Sequence, residues 1–259
     1  MASVAETWAR KDFDAVRAWA QTLPQADQTS AQEGTLRVME ENDPAQAAKT
    51  LQELGSVSEV SSTVQDWAKT DLDGAAQWVK QLPAGPFRGS ALNGLLAQWR
   101  DQDPCRAAEF VAAMPAEEGQ QQFLSWVLSS WTGKDSKAAI DWVDGLADGP
   151  MRDAGLKAVC HALAESKPME AASFVASLAP GEVQSQLAGG VAHGWAVYDP
   201  MAALQWVAAF PEGPARTSAI EQMGAGLFQL DAPGLGASRK WLDETSLFSA
   251  EEKLNLFGK

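Results

Sequence analysis

Carboxylates recur at a nearly constant spacing along the chain, and such a series could supply paired groups for acid–base chemistry. They stand at Asp12, Asp43, Asp71, Asp103, Asp135, Asp199 and Asp231, with Lys167 in one further slot. From Asp71 onward, neighbouring slots are 32 residues apart. Equivalent positions on packed helices lie on the order of 10 Å apart, which is too far for two carboxyl groups to share a proton. Because each aspartate precedes a helical pattern, we expect it to cap that helix and contribute about 0.5–2 kcal/mol.

Three arginines form a second series, at Arg88, Arg152 and Arg216. A row of guanidinium groups could hold an acidic peptide or a carboxylated polymer through paired hydrogen bonds. Alternatively, the same arginines could pair with carboxylates of neighbouring repeats and lock the stack together. Both alternatives remain open at this point, and the three arginines are candidate partner-binding residues.

Tryptophan is abundant, with 11 residues, and could line an aromatic groove for a ligand. Most of the tryptophans, however, share two repeat positions, four residues before and seven residues after an aspartate slot. They are Trp67, Trp99, Trp131 and Trp195 at the first position, and Trp78, Trp142 and Trp206 at the second. Large apolar residues at helical spacing are typical of a core, so we expect these side chains to be buried. Trp126 and Trp241 lie off both positions, and we expect them to be exposed and available to a partner.

Other residues whose side chains could bind a metal or act as a nucleophile do not form a recognisable site. His161 and His193 share a repeat position, but no further metal ligands accompany them. Cys105 and Cys160 occupy different repeat positions and make no Cys-x-x-Cys motif. The chain contains no Gly-x-Ser-x-Gly nucleophile motif, phosphate-binding loop or dinucleotide fingerprint. We therefore expect no catalytic, metal or cofactor site.

The elements that position these residues are pairs of helices, as the segment 195–227 illustrates. Asp199-Pro200 is a helix start, because the carboxylate caps free amides and proline suits the first helical position. Residues 211–214 then end the helix and turn the chain. Apolar residues follow at three- and four-residue steps on both sides of this turn: Ala203, Trp206, Val207, Phe210, Ile220, Met223 and Leu227. The segment is therefore predicted to form an αα-hairpin.

The hairpin pattern repeats along nearly the whole chain. The unit that begins at Asp43 is four residues shorter, and we place the deletion at its turn, around Gly55. A Gly-Pro turn followed by arginine marks every second unit, which indicates two alternating kinds of contact between hairpins. We predict an all-α fold in which about eight helical hairpins of 32 residues stack as a right-handed superhelical solenoid over residues 1–259, a single domain. Because the pattern starts and stops inside a repeat, we expect the chain to be a fragment of a longer array.

The sequence resembles the α-solenoid class that includes tetratricopeptide, Sel1-like and HEAT repeats. Its Asp199-Pro200, Phe210-Pro211-Glu212-Gly213 and Arg216 series is most similar to a group of bacterial Trp/Asp-Pro repeat proteins of unassigned function. The tetratricopeptide pattern of Trp, Leu-Gly and Tyr is missing, and the period is 32 residues. What the resemblance implies is binding of a protein or peptide along an extended surface.

Composition limits the partners. The formal charge of −14 and the isoelectric point near 4.5 argue against binding to nucleic acid or an anionic membrane. No apolar run is long enough to cross a bilayer, and the first residues lack the features of a signal peptide. We expect a cytoplasmic protein by default, or one of the cell envelope if the native N-terminus lies upstream.

We expect the chain to be a monomeric, non-catalytic scaffold that binds a protein or peptide on the surface formed by the first helices of successive hairpins. One alternative is an α/α-toroid enzyme or carbohydrate-binding domain, for which Glu109, Asp141 and Glu170 are the nearest carboxylates. Another alternative is a structural spacer, in which no part of the surface is special.

Overall fold

The structure is a computed structural model that describes residues 1–114, 119–227 and 235–257. All regular structure in these ranges is helical, which confirms the all-α class. The helices are α1 (Ala2–Ala9), α2 (Phe13–Gln21), α3 (Gln25–Asn42), α4 (Pro44–Leu54), α5 (Val60–Thr70), α6 (Leu72–Gln81), α7 (Pro86–Gln102), α8 (Pro104–Ala112), α9 (Gln120–Lys134), α10 (Ser136–Asp144), α11 (Pro150–Ser166), α12 (Pro168–Ser177), α13 (Glu182–Tyr198), α14 (Pro200–Ala209), α15 (Pro214–Leu227), α16 (Leu235–Glu244) and α17 (Ala250–Phe257). Even-numbered helices are the first helices of hairpins, and the odd-numbered helices that follow them are the second helices.

Contacts divide the chain into two compact units, Met1–Gln120 and Gln121–Lys259. The first unit contains α1 to α8, and the second contains α9, apart from its first residue, to α17. From α1 to α8 and from α10 to α15, each helix packs on its neighbours in the chain, and α16 packs on α17. Second helices also pack on each other, as α1 does on α3 and α13 on α15. None of the helices described is both long and apolar enough to span a bilayer. The single domain that the sequence predicts stays a prediction.

One residue joins most second helices to the next first helix. At Asp71, the backbone N–H donates to the Trp67 carbonyl at 2.8 Å and so ends α5. The Asp71 carboxylate then accepts the Gly74 N–H at 2.9 Å and caps α6. The same carboxylate cap, at 2.9–3.1 Å, occurs at Asp12, Asp43, Asp103, Asp135 and Asp199. The capping role is confirmed at these six positions, and Asp231 lies outside the described residues.

Two aromatic side chains, eleven residues apart in the chain, flank every one of these six caps except Asp43, and they pack against each other. The ring centroids of Trp67 and Trp78 are 5.6 Å apart, with planes inclined by 49°. Equivalent pairs are Trp8–Trp19, Trp99–Phe110, Trp131–Trp142 and Trp195–Trp206, at 5.1–6.2 Å. Burial is confirmed for Trp67, Trp99 and Trp131. It is incomplete for Trp195 and for the three first-helix tryptophans, Trp78, Trp142 and Trp206, which are only half-buried.

The turns inside the hairpins follow the Gly-Pro pattern. Gly85, Gly149 and Gly213 have φ between 139° and 153°, where a side chain would be strained, and the next proline begins the second helix. In the hairpin that begins at Asp43, the prediction of a shortened turn is wrong. There α4 extends to Leu54, Gly55 terminates it at φ 67°, and the shortening falls on α5, which has 11 residues where α7 has 17.

Candidate functional site

Arg216 is almost fully buried, with 7% of its surface exposed, and each of its donors has an acceptor. Its Nη1 donates to the carbonyls of Ala208 and Phe210 at 3.1 and 3.0 Å, which lie at the end of α14. Its Nε and Nη2 bind the Glu252 carboxylate, and Nη2 also donates to the Leu247 carbonyl. The guanidinium carbon lies 5.0 Å from the Phe248 ring centroid. Arg216 therefore ties the seventh hairpin (α14, α15) to the eighth (α16, α17).

The other two arginines are not free surface cations either. Arg88 is 5% exposed, and its Nη1 lies 3.4 Å from the Leu82 carbonyl at the end of α6. Arg152 is about one quarter exposed and pairs with Asp144 at 3.2 Å and Asp148 at 3.5 Å. These contacts favour the stack-locking alternative at Arg216, whereas the partner-binding role of the three arginines stays a prediction.

The sequence analysis did not predict one role of the repeat position that the three arginines occupy. Gln120 and Gln184, which replace arginine in the alternate hairpins, also donate to carbonyls at the end of the preceding first helix. The Gln184 Nε2 lies 3.2 Å from the Val175 carbonyl and 3.0 Å from the Leu178 carbonyl. The Gln120 Nε2 makes the equivalent bonds at 2.8 and 2.9 Å. The alternation of arginine and glutamine at this position could have predicted the role, because both residues have a long side chain with N–H donors.

The two tryptophans expected to be exposed are instead half-buried. Trp126 lies on α9, and Trp241 on α16 stacks edge-on against Phe248 with 6.4 Å between ring centroids. Their proposed role in partner binding is not tested by this arrangement and stays a prediction.

A groove of about 710 Å³ lies between two neighbouring turns of the second unit. One wall is the turn that joins α12 to α13, and the other is the turn that joins α14 to α15. We call it the turn groove. Trp206 and Phe210 stand in one wall as an edge-to-face pair, with centroids 4.9 Å apart and planes at 80°. Three prolines, Pro180, Pro211 and Pro214, complete its predominantly apolar lining.

The polar side chains of the turn groove are mostly engaged within the protein. The Gln184 amide nitrogen binds the two carbonyls at the end of α12, and the Ser185 hydroxyl donates to the Gly181 carbonyl at 2.9 Å. The exposed carboxylate of Glu212 also lines the groove. Between Lys167 and Arg239 the sequence contains a single cation, Arg216, whose donors are already used. The groove therefore presents apolar surface and negative charge.

Side chains that could bind a metal or act as nucleophiles are dispersed in the described part of the chain. No group of three or more metal-binding side chains occurs among those residues. His161 lies 3.6 Å from the Glu165 carboxylate, and the His193 Nδ1 lies 3.1 Å from the Gln222 carbonyl. Burial raises the pKa of the Cys160 thiol to about 12, and burial followed by the charge of Glu109 raises the pKa of Cys105. Both thiols are therefore poor nucleophiles at neutral pH.

The carboxylates considered for a toroid enzyme, Glu109, Asp141 and Glu170, are all exposed. Asp141 pairs with Lys137, and Glu170 pairs with Lys167 at 3.4 Å.

Comparisons with known proteins identify no relative. No family model matches the chain, and no curated protein or solved structure is similar enough to count as a match.

Proposed function

We propose that this chain is a non-catalytic α-solenoid module of the tetratricopeptide-like type that binds a protein or peptide, with the turn groove as its binding site. The main support for the proposal is that this groove is both large and lined mainly by apolar residues. About 710 Å³ of open, mainly apolar space lies beside a half-buried tryptophan. Ligand sites in proteins typically have this volume and this apolar character.

The composition of the surrounding segment also supports the proposal. Charged residues are depleted at the centre of protein interfaces, whereas aromatic residues are enriched. Residues 171–211 contain only two charged residues, Glu182 and Asp199, in a chain that is 21% charged. Asp199 is a helix cap, so this stretch offers little charge that a partner would have to desolvate.

The groove lies at the turns, and the first helices α12 and α14 contribute only their last residues and Trp206 to it. The proposed site therefore differs from the surface along the first helices that the sequence predicts. Stacked hairpins remain the means by which the site is built, because residues from two successive repeats form its two walls.

Selection of random peptides displayed on phage against the purified chain tests this function. A matched pair of variants locates the binding site. Ala209→Trp fills the groove from an exposed position, and Ala113→Trp makes the same change at the equivalent, exposed position of the fourth hairpin (α8, α9). We expect enriched peptides whose binding is lost in Ala209→Trp and retained in Ala113→Trp.

Failure to enrich any peptide, or enrichment of peptides that bind Ala209→Trp normally, contradicts the proposal. The first result favours the spacer alternative. Circular dichroism of both variants confirms that the helices persist.

A further inference from the structure

We infer that the turn groove binds an extended, proline-containing protein segment that carries lysine or arginine beside its prolines. This inference rests on the proposed function and adds the chemistry of the occupant. It follows from the shape of the groove, from its shortage of free side-chain donors and from its charge.

The shape favours a polyproline-type segment. Such segments dock in grooves lined by aromatic rings, because their rigid left-handed helix loses little entropy on binding. In the turn groove, the half-buried Trp206 is the more accessible ring and packs at 80° against Phe210, which is 8% exposed. The exposed Pro180 and Pro211 lie among the lining residues. The site extends across two turns rather than along a helix, which does not suit the long apolar face of an amphipathic helix. The described residues contain no strand whose edge a partner strand could extend.

The engaged donors argue against carbohydrate as the occupant. Sugar hydroxyl groups need several polar side chains to replace their bonds to water, because a polar group buried without a partner costs free energy. Gln184 and Ser185 line the groove, but the Gln184 amide nitrogen and the Ser185 hydroxyl already donate to backbone carbonyls of the protein itself. A segment rich in proline has fewer N–H groups to satisfy and is therefore a better match.

The charge of the groove favours a basic segment. Two helices begin at its rim, α13 and α15, and each helix N-terminus carries about half a positive charge. A carboxylate accompanies each of them: Glu182 in the first turn of α13, next to the lining residue Gly181, and Glu212, a lining residue two positions before α15. Two full negative charges exceed two half charges, and Arg216 is buried against Glu252, so the rim remains negative. Lysine or arginine of the partner would complement it.

Fluorescence anisotropy with three labelled synthetic peptides tests the inference. The probe is a twelve-residue peptide with a Pro-x-x-Pro core and two arginines. In the second peptide, glutamate replaces both arginines, and in the third, glycine and serine replace the prolines. We expect the first peptide to bind and each of the other two to bind at least about tenfold more weakly. Binding of the first peptide should also weaken as salt concentration rises, because exposed charges are screened.

Two variants with altered charge test whether the groove is responsible for the charge dependence of peptide binding. Glu212→Lys should weaken binding of the basic peptide by about tenfold or more and improve binding of the glutamate peptide. Glu221→Lys makes the same change on α15 at an exposed position outside the groove lining and should change binding much less. Equal effects of the two substitutions would show that only the overall charge of the protein matters and would overturn the inference.

The peptide selection separates this inference from the proposed function. If selected peptides depend on an open groove but lack proline and basic residues, the occupant is wrong while peptide binding stands. If no peptide depends on the groove, both fail.

Discussion

The Arg216 Nε lies 2.6 Å from the Glu252 carboxylate, across the contact between α15 and α17. Arg216 has 9% and Glu252 24% of its side chain exposed, so this ion pair is largely shielded from solvent. The Glu252 carboxylate also accepts the Ser249 N–H at 2.7 Å, as the partner in the capping box that opens α17. One carboxylate thus joins the start of α17 to the preceding hairpin.

Replacing Arg216 should strongly destabilise the second unit. Arg216→Met leaves the carbonyls of Ala208 and Phe210 and the Glu252 carboxylate without their donor, at a cost of about 2–4 kcal/mol. Arg152→Met, which breaks a more exposed pair with Asp144, should cost only about 0–1 kcal/mol. Urea denaturation of both variants measures the difference. Equal losses of unfolding free energy in the two variants would mean that the buried contacts of Arg216 contribute little to stability.

The same pair should make stability sensitive to acid. The hydrogen bond from Arg216 lowers the pKa of Glu252 below its ordinary value of 4.5. The stabilisation is therefore fully present above about pH 4.5 and is lost as the pH falls through the lower value in the folded protein. In Glu252→Gln, stability should be lower near neutral pH but should change less below pH 4.5. Denaturation midpoints measured between pH 3 and 7 check this, and identical slopes for the two proteins would contradict it.

Two glycines of α7 should respond in opposite directions to the same substitution. At Gly94 a methyl group would collide with the Ser61 backbone of α5, whereas at Gly89 nothing lies within 4 Å. Gly94→Ala should therefore destabilise the first unit by about 1–3 kcal/mol through overpacking. Gly89→Ala should stabilise it by about 0.5–1 kcal/mol, since alanine favours a helix. Thermal unfolding of the two variants gives the comparison, and stabilisation by both would disprove the close contact between α5 and α7.

Replacing either tryptophan of one pair with alanine should destabilise the protein, but by different amounts. Trp131, on α9, is 6% exposed, and Trp142, on α10, is half-buried. Trp131→Ala should cost about 3–5 kcal/mol, and Trp142→Ala should cost less because its ring removes less apolar surface from water. Chemical denaturation measures both. If Trp142→Ala were the costlier change, the pair would owe its stability to contacts other than burial.

Lys167 offers a stabilising substitution. It is the only one of the seven described slot residues whose side chain does not cap the following helix. Lys167→Asn supplies a capping oxygen to α12 and should add about 0.5–1 kcal/mol, less the exposed pair with Glu170 that it removes. Asp199→Asn, where a cap already exists, serves as the control and should change little. A loss of stability in Lys167→Asn would show that Lys167 matters through its charge.

The helices were predictable from the sequence because their signals are local. Asp199-Pro200 and the Gly-Pro turns act within a few residues of themselves, so spacing alone places the helix ends. The environment of Arg216 was not predictable in this way, because all five of its hydrogen bonds go to residues 31 to 36 positions away or to backbone carbonyls. The turn groove depends on the gap between the turns at Pro180 and Pro211, which belong to different hairpins, and no spacing within one repeat encodes that gap.

The linkers at the aspartates have a fixed length, because a single residue both ends one helix and caps the next. Asp71, for example, ends α5 and caps α6, so an inserted residue there would rotate and shift every helix that follows. The shorter hairpin that begins at Asp43 obeys this constraint, because its missing residues fall on α5, between Gly55 and the cap at Asp71. A change in the length of a hairpin is therefore accommodated between two caps. During evolution, the capping aspartates preserve the repeat while the segments between them can vary in length.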